Sequence, residues 1–512
     1  MNIKKNLEKN IDNNVKEKTK IQSKKLNILL LSIPFSIPAG AAIVPERLFH
    51  GLIRMNMNIV VLTHWWNCTF EDVIRYNVIT KDNYKTFVEG EINGNRIAKV
   101  KEFRIIKTKY GNRWIPKSIE KLVPEDKIIE AGKICCKKAI DYILSTGFKP
   151  DVIHIHTHTF TYDKTLPIIL EKTNYPPTLY TLHALIRTIT KEREKAQEET
   201  IKLSDKLVTI SDGWKKSIEE NYHRDCFVIH NATDYFPYLY DDYVKSRAEE
   251  LRNVLAPNGE KLILFSGRPE KIKMQGLPLA FNEIVDKWNA KLIIVGSSGE
   301  KGTISNLQNW GIKPKYLERI HFTGWINGIT EEGRREIAAY YKMLTHFEGD
   351  KFKVDGVLVM PARTKDHYGL SVLDAMALKA PVITCPGRLA TYGCDPDALN
   401  LVKGINFVLS NPREVLTRIE KTYDIVKNEY GIDNYFVPEH IKLYSELINK
   451  KREEKLKIFK EALKESEKNE KVYETELKKL MLEVLEEIRK EYEEKSTNLA
   501  RITRIALKEI GD

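Results

Sequence analysis

Short apolar runs alternate with helical stretches in two series on either side of a linker, and this limits the chain's fold more than any other feature. In the first series "LNILLLSIPF", "MNIVVLTHWW", "DVIHIHTH", "PTLYTLHA", "KLVTIS" and "CFVIHNA" read as strands, with helices such as "KTLPIILEKT" and "REKAQEETIKLS" between them. A polar helix at about 240–256 ends at "APNGEK", a linker. Beyond it "KLILFSG", "AKLIIVGSS", "RIHFTGWI", "VLVMPA" and "PVITC" are five more short apolar strands separated by helices. Strands alternating with helices predict an α/β protein with two doubly wound parallel-sheet domains. Sites in such sheets form at the C-terminal ends of strands, so ligands are expected in a cleft between the two domains. The expected boundaries are a basic, disordered tail over 1–24, a first domain over 25–240 and a second over 258–430. Within the first domain, 67–128 is an irregular insertion whose Asn93-Gly94 step predicts a hairpin turn.

From about 451 the chain becomes rich in Lys and Glu, with Leu477, Leu480, Val484, Ile488 and Tyr492 at helical spacing. Such a stripe needs a partner: the body of the protein, a second copy in a homo-oligomer, or a membrane surface. With 42% hydrophobic and 30% charged residues the composition is that of a globular protein, and its Lys and Glu content leans towards a thermophile. The net charge of +12 suits an anionic partner, but the excess is spread along the chain and mixed with Glu, which argues against nucleic acid. No apolar run reaches about 18 residues, and the N-terminal segment lacks the apolar core of a signal peptide. Six cysteines without a CxxC fit reduced thiols in the cytoplasm. The basic tail is a solvated segment or a means of reaching an anionic inner-membrane surface.

Two stretches of the second series carry chemistry. "LFSGRPEKIKMQG" sets Arg268, Lys271 and Lys273 directly after a strand, where fixed positive charge can hold a phosphate. A solvated basic loop is the plain alternative. In "DHYGLSVLDAMALKAPVIT", Gly369 and Leu370 open a helix whose free N–H groups suit phosphate oxygens. Asp366 lies before that helix and Asp374 about one turn into it, and by spacing alone a cap and a helix residue explain them. His154, His156 and His158 alternate as metal ligands on a strand face do, or as cleft-lining histidines. Cys135 and Cys136 read as buried thiols, and Trp65 and Trp66 as core or as a stacking surface for a sugar.

"ARTKDHYGLSVLDAMALKAPVIT" resembles the signature of retaining GT-B glycosyltransferases, the family 4 group to which glycogen and sucrose-phosphate synthases are also similar. The order of the other segments agrees. "PAGAAIVPERLFHGLIRMNMNIVVLT" is similar to the family's first glycine loop and helix; "PDVIHIHTH", "TLHAL", "LSDKLVTISDGWKKSI" and "VIHNATD" are similar to its successive strand ends. "SGRPEKIKMQG" resembles the Arg and Lys loop, "FTGWI" the strand before the donor region, and "NYFVPEHIKLYSELI" a closing segment, here 431–450, that crosses back to the first domain. The resemblance covers about 25–450 and leaves out the charged appendage.

It implies a metal-independent hexosyltransferase without a cofactor, acting on a nucleotide-diphosphate sugar and a hydroxyl acceptor with retention of configuration. Its catalytic set would be Asp366, near the reacting sugar carbon, His183 beside the donor sugar, and Arg268 and Lys273 on the diphosphate. Donor binding would add Gly40, Gly369, Leu370 and, on the ribose, Asp374. Both acidic positions are Asp where the family usually has Glu, shorter by about 1.5 Å. Ala41 follows Gly40 in place of a second glycine, two residues separate Gly276 from Lys273, which leaves Lys271 and Lys273 both open as the loop's lysine, and the usual glycine pair is lacking near Gly387. These departures, with the long tail, motivate a second expectation: a catalytically weak sugar-nucleotide-binding scaffold. A phosphorylase is disfavoured, because no lysine-anchored pyridoxal site is recognisable.

Overall fold

The computed structural model describes residues 25–63 and 78–466, apart from 34, 36–39, 85–102, 109–110, 117–127, 185–190, 298, 300, 363–368 and 386–389. The readings placed on the N-terminal tail, Trp65, Trp66, Asn93-Gly94, Asp366, Gly387 and the 477–492 stripe therefore lie outside the described residues. By chain contacts, residues up to Ile441 make one compact unit and those from Lys442 another. The helix Val437–Ser466 runs on without a break past 450.

The first unit contains both expected sheets. The first has β1 (Asn27–Ser32), β2 (Asn58–Thr63), β3 (Val78–Ile79), β6 (Val152–Ile155), β7 (Thr178–Leu182), β8 (Lys206–Thr209) and β9 (Phe227–Val228), in the order β3-β2-β1-β6-β7-β8-β9. All of its pairs are parallel except β2 with the short β3. The insertion contributes a separate hairpin, β4 (Phe103–Thr108) with β5 (Gly111–Pro116), closing at the pair Thr108↔Gly111.

The second sheet has β10 (Leu262–Ser266), β11 (Lys291–Val295), β12 (Ile320–Phe322), β15 (Gly356–Met360), β16 (Val382–Thr384) and β17 (Tyr392–Gly393), ordered β12-β11-β10-β15-β16-β17. An antiparallel pair, β13 (Thr345–Glu348) with β14 (Lys351–Val354), stands beside it. In β10 Leu262 and Leu264 enter one apolar cluster with Ala338, Tyr341 and Leu373, while Ile263 and Phe265 enter another with Leu277, Phe281 and Leu401. Helices therefore cover both faces, which is why the strands are continuous apolar runs rather than alternating ones.

The order of both sheets reverses once: between β1 and β6 in the first, and between β10 and β15 in the second. These reversals are where open α/β sheets hold ligands, outside the carboxyl ends of the strands. Four helices are positioned by them. Helix α1 (Gly40–Arg54) follows β1, α2 (Leu277–Ile284) follows β10, α3 (Glu331–Lys342) lies against the second sheet, and α4 (Leu370–Ala377) follows β15. The chain then returns to the first domain. Thr233 bridges Gly431 in parallel, and the Cβ that Gly51 lacks would stand 2.3 Å from Val437 and 2.9 Å from Ile432. Arg54 donates two-pronged to Asp433 at 2.8–3.0 Å, an exposed pair.

Candidate active site

At the second reversal point, β10 ends at Ser266 and the chain turns through Gly267, whose φ of 136° favours glycine. This turn brings out Arg268, which is 65% exposed, with Nε 3.5 Å from Glu270. Lys273 Nζ lies 3.3 Å from the other oxygen of Glu270 and is partly buried, whereas Lys271 is exposed. One carboxylate, Glu270, is thus shared by both expected phosphate ligands and holds their side chains near one another. The loop closes at Gly276 (φ 70°), where an added Cβ would stand 2.1 Å from the Pro396 carbonyl oxygen. The two extra residues between Lys273 and Gly276 are accommodated by packing this glycine directly on the 396–398 backbone. Gly276→Ala is accordingly expected to lower stability by about 2–4 kcal/mol, through a left-handed backbone plus a backbone clash, measurable by urea unfolding.

Beside it, β15 leads to α4, which starts at Gly369 with no side-chain cap among the described residues. Its first N–H groups suit an anion, and among the described residues a Cβ added at Gly369 would meet nothing within 4 Å. Because β10 and β15 are hydrogen-bonded neighbours, the Arg268–Lys273 loop and the α4 N-terminus emerge from adjacent strand ends. Leu370 is half-buried beside them. In the first domain Gly40 is the first residue of α1.

Asp374 is placed differently from what a ribose ligand alone would need. It is buried, Oδ2 accepts from Arg47 Nη2 at 2.8 Å, and Oδ1 accepts from Thr233 Oγ1 at 2.7 Å. Both partners belong to the first domain. Arg47 also donates to the Ala232 carbonyl at 2.7 Å and lies 3.3 Å from Asp234, with its guanidinium 5.5 Å from the Tyr235 ring centre. Arg334, from α3, donates to Asp234 at 2.7 Å and to both oxygens of Glu46 at 2.8 and 3.0 Å. Tyr84 donates to Glu46 at 2.8 Å, and His50 lies 3.2 Å from it. Three carboxylates and two guanidiniums thus meet where α1, α3, α4 and the 231–235 segment converge. Burial raises the carboxyl pKa of Asp374 against the opposing pull of Arg47. Asp234 is likewise desolvated, but Arg47 and Arg334 outweigh that and hold it down at about 2. Sequence reading missed Glu46 and Arg47; the available signal was a charged pair inside the apolar helix "GAAIVPERLFHGLIR".

At the first reversal point the strand-end histidines gather. His154 and His156 have ring centres 4.2 Å apart, His440 lies 5.3 Å from His154, and His183 lies 5.3 Å from His156. His154 Nε2 meets Thr181 Oγ1 at 2.8 Å, His156 Nδ1 meets His183 Nε2 at 3.1 Å, and His440 Nδ1 meets the Phe436 carbonyl at 2.7 Å. Burial drives all four imidazoles towards the neutral form, to about 4 for His183 and His440 and well below the ordinary value for His154 and His156. His158 instead precedes the short helix Thr159–Tyr162. Among the described residues no group of three or more His, Cys, Asp or Glu is arranged to hold a metal ion. Among them also, no helix is long and apolar enough to cross a membrane. Cys135 and Cys136 are buried, with the Cys136 thiol pushed up to about 12.

This fold is that of the GT-B glycosyltransferases. Solved structures that share it include Anabaena HepE in complex with UDP and glucose (TM-score 0.54, 14% identity, 82% of this chain and 100% of that one). A glycosyltransferase from Rickettsia africae matches at TM-score 0.55 and 13% identity, over 83% of this chain and 99% of that one. The catalytic domain of starch synthase IV from Arabidopsis thaliana, bound to ADP and acarbose, matches at 0.55 and 12%, over 83% and 100%. No curated protein matches in sequence. Residues 260–421, the second domain, match the family model described as glycosyl transferases group 1.

Proposed function

We propose that the protein transfers a hexosyl group from a nucleotide-diphosphate sugar to a hydroxyl acceptor, with retention and without a metal ion. The observation that carries this reading is the pairing, at the second reversal point, of the Arg268–Lys273 loop with the uncapped α4 N-terminus, inside the segment that matches group 1 glycosyltransferases. A departing nucleoside diphosphate concentrates negative charge on its phosphate. Guanidinium, ammonium and helix N–H groups drawn from these adjacent strand ends can stabilise that charge. In this reading Arg268 and Lys273 leave Glu270 for the diphosphate, Gly40 and Leu370 border the donor, Asp366 contacts the sugar near its reacting carbon, and His183 stands beside the sugar. Asp374 binds the ribose once Arg47 has released it. The base and sugar of the donor set the acceptor class, which spans polysaccharide, glycolipid and glycoprotein precursors.

A second reading, a sugar-nucleotide-binding scaffold with little turnover, draws on the occupied carboxylate of Asp374 and the shorter acidic side chains. One experiment separates the two: incubation of the purified protein with a panel of labelled UDP-, ADP- and GDP-sugars, scored for binding and for slow donor hydrolysis. Hydrolysis of one donor, reduced about a hundredfold to a thousandfold by Arg268→Ala, is the expected result. Tight binding with no hydrolysis or transfer, unchanged by Asp366→Ala, would replace the enzyme with the scaffold.

A further inference from the structure

His183 does not stand alone at the end of β7: its Nε2 is 3.1 Å from Nδ1 of His156. His156 is buried, and its remaining ring nitrogen, Nε2, is enclosed without a hydrogen-bond partner among the described residues. Two neutral arrangements are possible for such a pair. If His156 carried its proton on Nε2, a buried N–H would be orphaned and Nδ1 would accept from His183. If it carries the proton on Nδ1, that N–H donates to His183 and only a lone pair is left unfilled at Nε2. Orphaned buried donors are the rarer condition, because an N–H has a single bond to make and loses all of it.

We propose that His156 is a positioning residue: it donates Nδ1–H to Nε2 of His183 and thereby fixes His183 as the tautomer protonated on Nδ1. The charged alternatives are disfavoured by the surroundings. Two further histidines pack nearby, His154 with its ring centre 4.2 Å from that of His156 and His440 next to His154, and burial holds all of them neutral. His183, which unlike His156 keeps part of its surface accessible, then presents an N–H rather than a lone pair through its second nitrogen. This rests on the proposed glycosyl transfer for its consequence: His183 recognises an oxygen lone pair of the donor sugar, and does not abstract a proton from the acceptor. His154 has a different task, since its Nε2 is already held by Thr181.

The test reads the tautomer directly, by long-range proton–nitrogen NMR on the full chain labelled with nitrogen-15 histidine, the His183 signal being assigned with His183→Gln. The expected spectrum has His183 protonated on Nδ1 and bare on Nε2 at pH 7. His156→Asn, whose amide N–H replaces Nδ1–H, should keep that pattern; His156→Ala should release it to the Nε2-protonated form. Donor hydrolysis should follow, with kcat about tenfold or more lower in His156→Ala, recovered in His156→Asn, and KM little changed, as for partners that set a histidine's tautomer. Protonation of His183 on Nε2 in the unmutated protein would overturn the assignment, as would an unchanged pattern in His156→Ala. The unmutated spectrum decides even if a variant fails to fold. If the tautomer is as expected but no donor is hydrolysed, the transferase reading falls and the positioning role stands.

Discussion

Acidification from pH 6.5 to 4 is expected to lower this protein's stability by about 3 kcal/mol or more, earlier than carboxylate titration would. His154, His156, His183 and His440 are packed together and held neutral, whereas in the unfolded chain each titrates near 6.5. The folded state binds fewer protons than the unfolded one in this window. The contribution is therefore complete above about pH 6.5 and is lost as the pH falls towards the folded values. For buried His440, held at about 4, the loss by pH 4 is about 3 kcal/mol; for the partly exposed His183 it is smaller. A typical domain has only about 5–15 kcal/mol in all. Asp234, held at about 2, acts in the same direction but only below about pH 4. Asp374, whose pKa is raised, acts oppositely: its contribution is present below its unfolded value and lost as the pH rises through its folded one. Urea midpoints at pH 7, 6 and 5 should fall progressively, and His440→Phe should flatten the slope. Midpoints that do not move between pH 7 and 5 would show that the cluster hydrates in solution.

Arg334→Met should cost about 3–5 kcal/mol, since it leaves the buried Glu46 facing no guanidinium and Asp234 with Arg47 alone. Arg54→Ala, which breaks the exposed pair with Asp433, is the matched control and should cost less than about 1 kcal/mol. Because Arg334 sits on the second domain and Glu46 on the first, the loss should also separate the unfolding of the two sheets. Tryptophan fluorescence and far-ultraviolet circular dichroism would then follow different denaturant curves, whereas coincident curves are expected of the unmutated protein. Equal costs for the two variants would mean that water reaches the cluster and screens it.

The strands were legible because they are buried on both faces: "NILLLS", "KLIIV" and "GVLVM" carry unbroken apolar runs and need no partner to be recognised. The pair β13–β14 was not, because "THFEGDKFKV" is half polar, as a ribbon beside a sheet is free to be. The basic loop could be read from charge following a strand, and the structure puts Arg268 and Lys273 after β10, both against Glu270. What remained hidden was pairing at a distance. Arg47 and Asp374 are 327 positions apart, and nothing local to either distinguishes a buried ion pair from a surface charge or a sugar ligand. The histidines of "HIHTH" disclosed a shared strand face, but not that His183 and His440 would complete the group. Gly276 is similar: its need for glycine comes from Pro396, far along the chain.

The ion network also bears on how this protein can be recombined. Two-domain proteins invite chimaeras in which one half is exchanged for another at the linker. Here the cut would part Arg334 and Asp374 from Glu46, Arg47 and Thr233, so each half would inherit unmatched charges meant for a particular opposite number. A functional hybrid would have to carry α1 and the 231–235 segment along with the second domain, making the heritable module discontinuous in sequence although compact in space.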